Sequence, residues 1–171
     1  YIVLKYWMEI FSDSVFSMRM LSTILSLLSI YFIYRISKLF LENDIQVILV
    51  LLLFAVSPLN IFYSQEVRML SLNLFLCLGS VFYFQALMSK DRGKYKSQLI
   101  VSILYICFTL LAVYTHYFAF LILFAELLIA LIYYFRKIIS KNYFIRFILF
   151  FSLINLLYLP WFPVFFAQAS K

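Results

Sequence analysis

Ser57-Pro-Leu-Asn-Ile-Phe-Tyr-Ser-Gln-Glu-Val-Arg68 is the one stretch in which a backbone-breaking residue and charges separate two long apolar runs without a basic cluster. Proline cannot continue the hydrogen-bond ladder of a preceding helix. Glu66 and Arg68 are costly at membrane depth. The stretch therefore predicts a turn at one face of a bilayer, and the rest of the chain is placed from it.

Composition gives the class. Of the 171 residues, 67% are hydrophobic and only 12% are charged, with a mean hydropathy of +1.05. A soluble domain has too little interior to hide so much apolar surface. The fold class expected is all-α: a polytopic membrane protein of about six transmembrane helices plus an N-terminal interfacial helix. The net charge of +7 does not point to nucleic acid, because the cations sit in short loops between apolar runs, where they set orientation.

Residues 1–12 form a piece too short to span, with Lys5 and Glu9 one turn apart, expected along the outer membrane surface. Spans are predicted at about 15–36, 45–59, 67–88, 98–114, 117–134 and 143–161. The fourth and fifth are divided at Tyr114-Thr-His-Tyr117, and the sixth ends at Pro160-Trp-Phe-Pro163. The loops around 35–38, 90–96 and 136–146 hold ten of the 14 Lys and Arg. Alternation of six spans puts all three on one side, the cytoplasmic side of a plasma membrane. Cys77 and Cys107 fall within apolar runs and are expected as reduced core residues.

Helical spacing gives orientation. Arg19, Ser22, Ser26 and Ser29 recur at three and four residues, a stripe of small residues that packs on neighbouring helices, so that Arg19 is expected to face protein. Glu66, Asn73 and Ser80 repeat every seven in the third span; Ser102, Thr109 and His116 do so in the fourth. Arg19, Glu66, Arg68 and His116 thus come from separate segments to one outer depth. Cations for a phosphate, a carboxylate, an imidazole and apolar walls suit an amphiphilic anion. The plainer readings are that Arg19 snorkels to headgroups, His116 satisfies a turn carbonyl, and Glu66 sits at a helix start. Glu126, in mid-span, is a functional acid, or one paired with Asn73 or Asn155, or one that stays protonated.

Tyr63-Ser-Gln-Glu-Val-Arg-Met69 behind Ser57-Pro58, with Arg19-Met-Leu-Ser22 before it and Tyr114-Thr-His-Tyr117 after, resembles the polyprenyl-phosphate-dependent membrane glycosyltransferases of GT-C fold, family 39. These include the protein O-mannosyltransferases and the lipid A aminoarabinose transferases. The resemblance implies transfer of a sugar from a polyprenyl phosphate to a protein, lipid or glycan acceptor at the outer face. By the same resemblance Arg68, with Arg19 in support, binds the lipid phosphate. Gln65, Tyr63, His116 and Tyr117 complete the substrate-binding set. Glu66 is in a supporting catalytic role, orienting the acceptor or holding a divalent cation, the one cofactor the resemblance admits. The main catalytic base of the family stands in a first outer loop that would precede Tyr1, so the 171 residues by themselves are expected to be inactive. The alternative from another class is a transporter or flippase for a lipid-linked or anionic solute, with Glu126 coupling protons.

Overall fold

The computed structural model describes residues 2–66, 69–89 and 98–161. Of these, 87% lie in helices and none in a strand. The helices are α1 (Ile2–Phe11), α2 (Val15–Phe40), α3 (Asp44–Ala55), α4 (Pro58–Gln65), α5 (Leu70–Met88), α6 (Gln98–Thr115), α7 (Ala119–Phe135) and α8 (Lys141–Tyr158), the last running into a 3-10 turn, Leu159–Trp161.

Along α2, burial is inverted relative to a helix of a soluble protein. In α2 the buried residues are Ser17, Ser22, Ser26, Ser29, Ser37 and one aromatic, Phe32, whereas Leu27, Leu28 and Tyr31 point outward. Lipid is as apolar as leucine, so burying leucine inside brings no hydrophobic gain there. Close packing of small residues and interhelical hydrogen bonds hold such helices together instead. This pattern and the helix lengths make the chain an all-α polytopic membrane protein. Among the described residues four helices are long and apolar enough to cross: Val15–Phe40, Leu70–Met88, Gln98–Thr115 and the segment Lys141–Trp161. A fifth crossing requires α3 and α4 together, which are bent by 49°. The fifth predicted span, 117–134, is α7, which has 17 residues, about 26 Å at 1.5 Å per residue against a hydrocarbon core of about 30 Å.

Two compact units divide the chain, Tyr1–Phe82 and Tyr83–Lys171. In the first, α1 is pinned to α2 by the Trp7 indole N–H, which donates to the Ser17 carbonyl and hydroxyl at 2.9 and 3.1 Å. The Ser14 hydroxyl caps α2 by accepting from the Ser17 N–H. Asn43 caps α3 by accepting from the Ile45 N–H at 2.9 Å. Lys38 pairs with Asp44 across this α2–α3 turn, and Arg35 lies over the ring of Phe82, 5.0 Å from its centroid.

In the second unit α6, α7 and α8 pack around Phe84, Tyr105, Leu123, Phe147 and Ile154, each no more than 1% exposed. The α7–α8 turn is a Schellman motif: the Ile138 N–H donates to the Tyr133 carbonyl at 2.8 Å and the Lys137 N–H to that of Tyr134 at 3.0 Å. Lys137 takes the left-handed position with φ 55°. The predicted break at 114–117 is where α6 ends and the turn into α7 begins.

Candidate functional site

The quoted stretch is not a simple turn. Pro58 begins α4 at its first position, where its missing N–H costs nothing to the new helix. It does deprive the Phe54 carbonyl of the donor that an unbroken helix would place four residues on. Two groups replace that donor: the Ser57 N–H at 3.2 Å and the Asn60 side-chain amide at 3.4 Å. The break comes after the 12 residues of α3, about 18 Å from its start. The polar end of the stretch follows one short helix later.

Four side-chain hydroxyls then hold α4 in place. On α2, Ser26 donates to the Asn60 Oδ1 at 2.9 Å, Thr23 to the Ser64 carbonyl at 3.2 Å, and Ser22 to the Glu66 carbonyl at 2.9 Å. From α5, Ser71 donates to the Tyr63 carbonyl at 2.9 Å. The contacts descend α2 as they ascend α4, so the two helices run antiparallel. The last carbonyls of a helix have no partner within it, and in a membrane no water supplies one. Hydroxyls from α2 and α5 supply it here. The serine stripe is therefore both a packing seam and the polar anchor of the Tyr63–Glu66 end of α4.

Glu66 ends α4 in an extended conformation, φ −85° and ψ 141°, with its side chain half-buried. It is not on α5, which begins at Leu70, so the expected seam of Glu66, Asn73 and Ser80 keeps only its last two members. Arg19 lies on α2 one turn from Ser22. Its side chain is exposed and forms no ion pair or hydrogen bond among the described residues. The expectation that it faces protein is thus corrected. It shares the face of Ser22 and Ser26 by helical spacing, but it lies in the second turn of α2, where a long side chain can reach past its neighbours. Gln65 is exposed and Tyr63 half-buried, the latter ring edge-on to Phe62 at 5.4 Å. Arg68 lies outside the described residues.

In the second unit, His116 is half-buried and its Nδ1 accepts from the Phe118 N–H at 3.2 Å. Its ring stacks on Tyr117 at 4.7 Å and lies 4.9 Å from that of Phe118. An accepting Nδ1 leaves Nε2 as the protonated nitrogen. Ser102 and Thr109, the rest of that seam, donate to carbonyls of their own helix at 2.8 and 2.7 Å.

Glu126 is 2% exposed, and its Oε2 accepts from the Tyr105 hydroxyl at 2.8 Å. The sequence pointed to Asn73 or Asn155 as its partner. Asn155 instead donates to the Phe151 carbonyl of its own helix at 2.8 Å, and Asn73 is the acceptor for the Cys77 thiol at 3.9 Å. Tyr105 was missed because it looked like one more apolar residue in a tyrosine-rich span. Cys107 is exposed and Cys77 half-buried, so neither is the core thiol expected.

Among the described residues no three His, Cys, Asp or Glu side chains come together as metal ligands. A divalent ion at Glu66 would have one carboxylate, with waters and substrate phosphate completing its shell, and no step below runs through it. No family model, curated protein or solved structure matches the chain.

Proposed function

We propose that the protein is a membrane glycosyltransferase that moves a sugar from a polyprenyl-phosphate donor to a protein, lipid or glycan acceptor, with its active face on the outside of the plasma membrane. The observation that carries this reading is the anchoring of the Gln65–Glu66 end of α4 on Ser22 and Thr23. It brings a carboxylate and the unengaged guanidinium of Arg19 to within about a helical turn of one level, and the resemblance of 63–69 gives that pair its chemistry.

In this reading an acceptor oxygen attacks the anomeric carbon while the bond from that carbon to the phosphate oxygen breaks, the leaving phosphate taking the electron pair. Arg68 and Arg19 bind the phosphate and stabilise its growing charge more in the transition state than in the donor. Glu66 orients the acceptor, whose proton goes to the family's loop carboxylate. Gln65, Tyr63, His116 and Tyr117 bind the substrates.

The test uses the intact protein in nanodiscs with a panel of polyprenyl-phosphate sugars, following release of free polyprenyl phosphate. Glu66→Gln or Arg68→Ala should lower the rate by about a hundredfold, the cost of one such electrostatic group. Release from no donor by wild-type protein that carries the family's loop carboxylate would sink the proposal.

A transporter for a lipid-linked or anionic solute is the second reading, favoured by the bent α3–α4 pair, since transporters build sites at discontinuous helices. Substrate flux in proteoliposomes that Glu66→Gln leaves intact and Glu126→Gln abolishes would select it.

A further inference from the structure

Asn60 makes two contacts with different helices. Its Nδ2 supplies the Phe54 carbonyl of α3 at 3.4 Å, and its Oδ1 accepts from Ser26 of α2 at 2.9 Å. One carboxamide thus answers the carbonyl orphaned by Pro58 and ties the start of α4 to the serine seam. Six residues on, the other end of α4 is tied to the same seam through Ser22 and Glu66.

We propose that Asn60 is a positioning residue, which fixes the 49° bend between α3 and α4 and through it the level at which Gln65 and Glu66 stand. Its role toward substrate rests on the glycosyltransferase reading; its control of the bend does not. Leucine at 60 is apolar and of similar size, and it supplies neither contact. The Phe54 carbonyl would then keep only the Ser57 N–H at 3.2 Å, and the Ser26 hydroxyl would seek another acceptor. Because no water is at hand in a bilayer, the cheapest remedy is a change of the α3–α4 angle. That change moves residue 65, at the far end of α4, more than it moves residue 58.

The experiment places a reporter thiol at Gln65→Cys in the intact protein in nanodiscs, with Cys77 and Cys107 replaced by alanine, and measures its reaction with a water-soluble maleimide. A second thiol at Ser140→Cys, exposed in the α7–α8 turn, reports on folding. Asn60→Leu should change the rate at 65 by about tenfold, the scale of one lost buried hydrogen bond, while the rate at 140 stays unchanged. Ser26→Ala should change the rate at 65 in the same direction and Ser26→Thr, which keeps the hydroxyl, should restore it. Because Ser26→Ala breaks one of the two contacts that Asn60→Leu already removes, the double variant should move position 65 no further than Asn60→Leu alone.

An unchanged rate at 65 in Asn60→Leu, or a loss that Ser26→Thr shares with Ser26→Ala, would overturn the proposal. If Asn60→Leu disturbs position 140 as well, Asn60→Asp, which keeps the acceptor for Ser26 and drops the donor to Phe54, replaces it, and the same two outcomes at 65 decide. Altered labelling at 65, together with no sugar transfer by the protein that retains Gln65, would uphold the clamp and remove the enzyme.

Discussion

The Ser22 hydroxyl donates to the Glu66 carbonyl across 2.9 Å, joining points 44 residues apart in the chain. Neither side chain charge nor hydrophobic burial enters this contact. It fixes backbone, and so determines where the carboxylate of Glu66 starts from. A segment that must carry an acid beside lipid needs its irregular backbone satisfied by protein groups, and the hydroxyls of α2 are those groups.

Removing Ser22 and Thr23 should therefore cost more than two surface hydroxyls would. Ser22→Ala leaves the Glu66 carbonyl without its donor, about 1 kcal/mol in membrane settings, and Thr23→Val removes a hydroxyl proton that the Ser64 carbonyl shares with the Arg19 carbonyl. Ser22→Ala with Thr23→Val should lower the thermal midpoint in nanodiscs. Ser29→Ala is the control, because the Ser29 hydroxyl bonds only to the Leu25 carbonyl of its own helix. Equal losses for the two variants would show that the seam acts by packing alone.

The Tyr105–Glu126 hydrogen bond joins α6 to α7 inside the second unit. Tyr105→Phe removes that donor from a carboxyl that is 2% exposed, a loss of about 1–3 kcal/mol. Glu126→Gln keeps an acceptor for the tyrosine and should cost much less. Combined with Glu126→Leu, which removes the acceptor as well, Tyr105→Phe should show coupling of at least about 0.5 kcal/mol in a thermodynamic cycle. Additive losses would mean that the pair is not a unit.

How far the fold could be read from sequence follows from what carried the signal. Apolar run lengths gave α2, α3 and α5 to α8 to within a few residues, because they record the bilayer's thickness, whereas α4 was read as a turn. The Tyr114–Tyr117 break was legible because His116 interrupts an apolar run twice too long for one crossing. What could not be read was the hydrogen bonding of short polar side chains. Ser22 and Ser26 showed a spacing but not an acceptor, since their acceptors are in α4, and Asn60 inside the quoted stretch gave no hint of reaching both α2 and α3. Arg19 was misplaced because a three-residue step from a buried serine looks like the same face until the length of the side chain is considered. Glu66 was assigned to the wrong helix because Pro58 starts a helix here as well as ending one.

Lys137 holds the left-handed position of the α7–α8 turn at φ 55°, where a Cβ is crowded by the following carbonyl. Glycine has no such penalty, so Lys137→Gly should raise the thermal midpoint by up to about 1 kcal/mol equivalent. Lys137→Val, β-branched and worse suited to positive φ, should lower it. The opposite order in a melting series would mean that the lysine ammonium contributes more at this helix C-terminus than the backbone strain costs.

His116 has two roles that one substitution can separate. As a cap, its Nδ1 satisfies the Phe118 N–H at the start of α7, one of the donors that a helix N-terminus leaves over. Asparagine offers an acceptor of similar reach, so His116→Asn should keep most of the stability that His116→Ala loses, about 1 kcal/mol by the usual cost of a deleted cap. As a substrate group, His116 presents Nε2–H from a ring stacked on Tyr117, and asparagine cannot place a donor there while its oxygen serves the cap. Melting and sugar-release assays on the two variants should therefore diverge: His116→Asn stable but impaired in turnover, His116→Ala deficient in both. A fully active His116→Asn would leave the histidine a cap and take it out of the substrate-binding set.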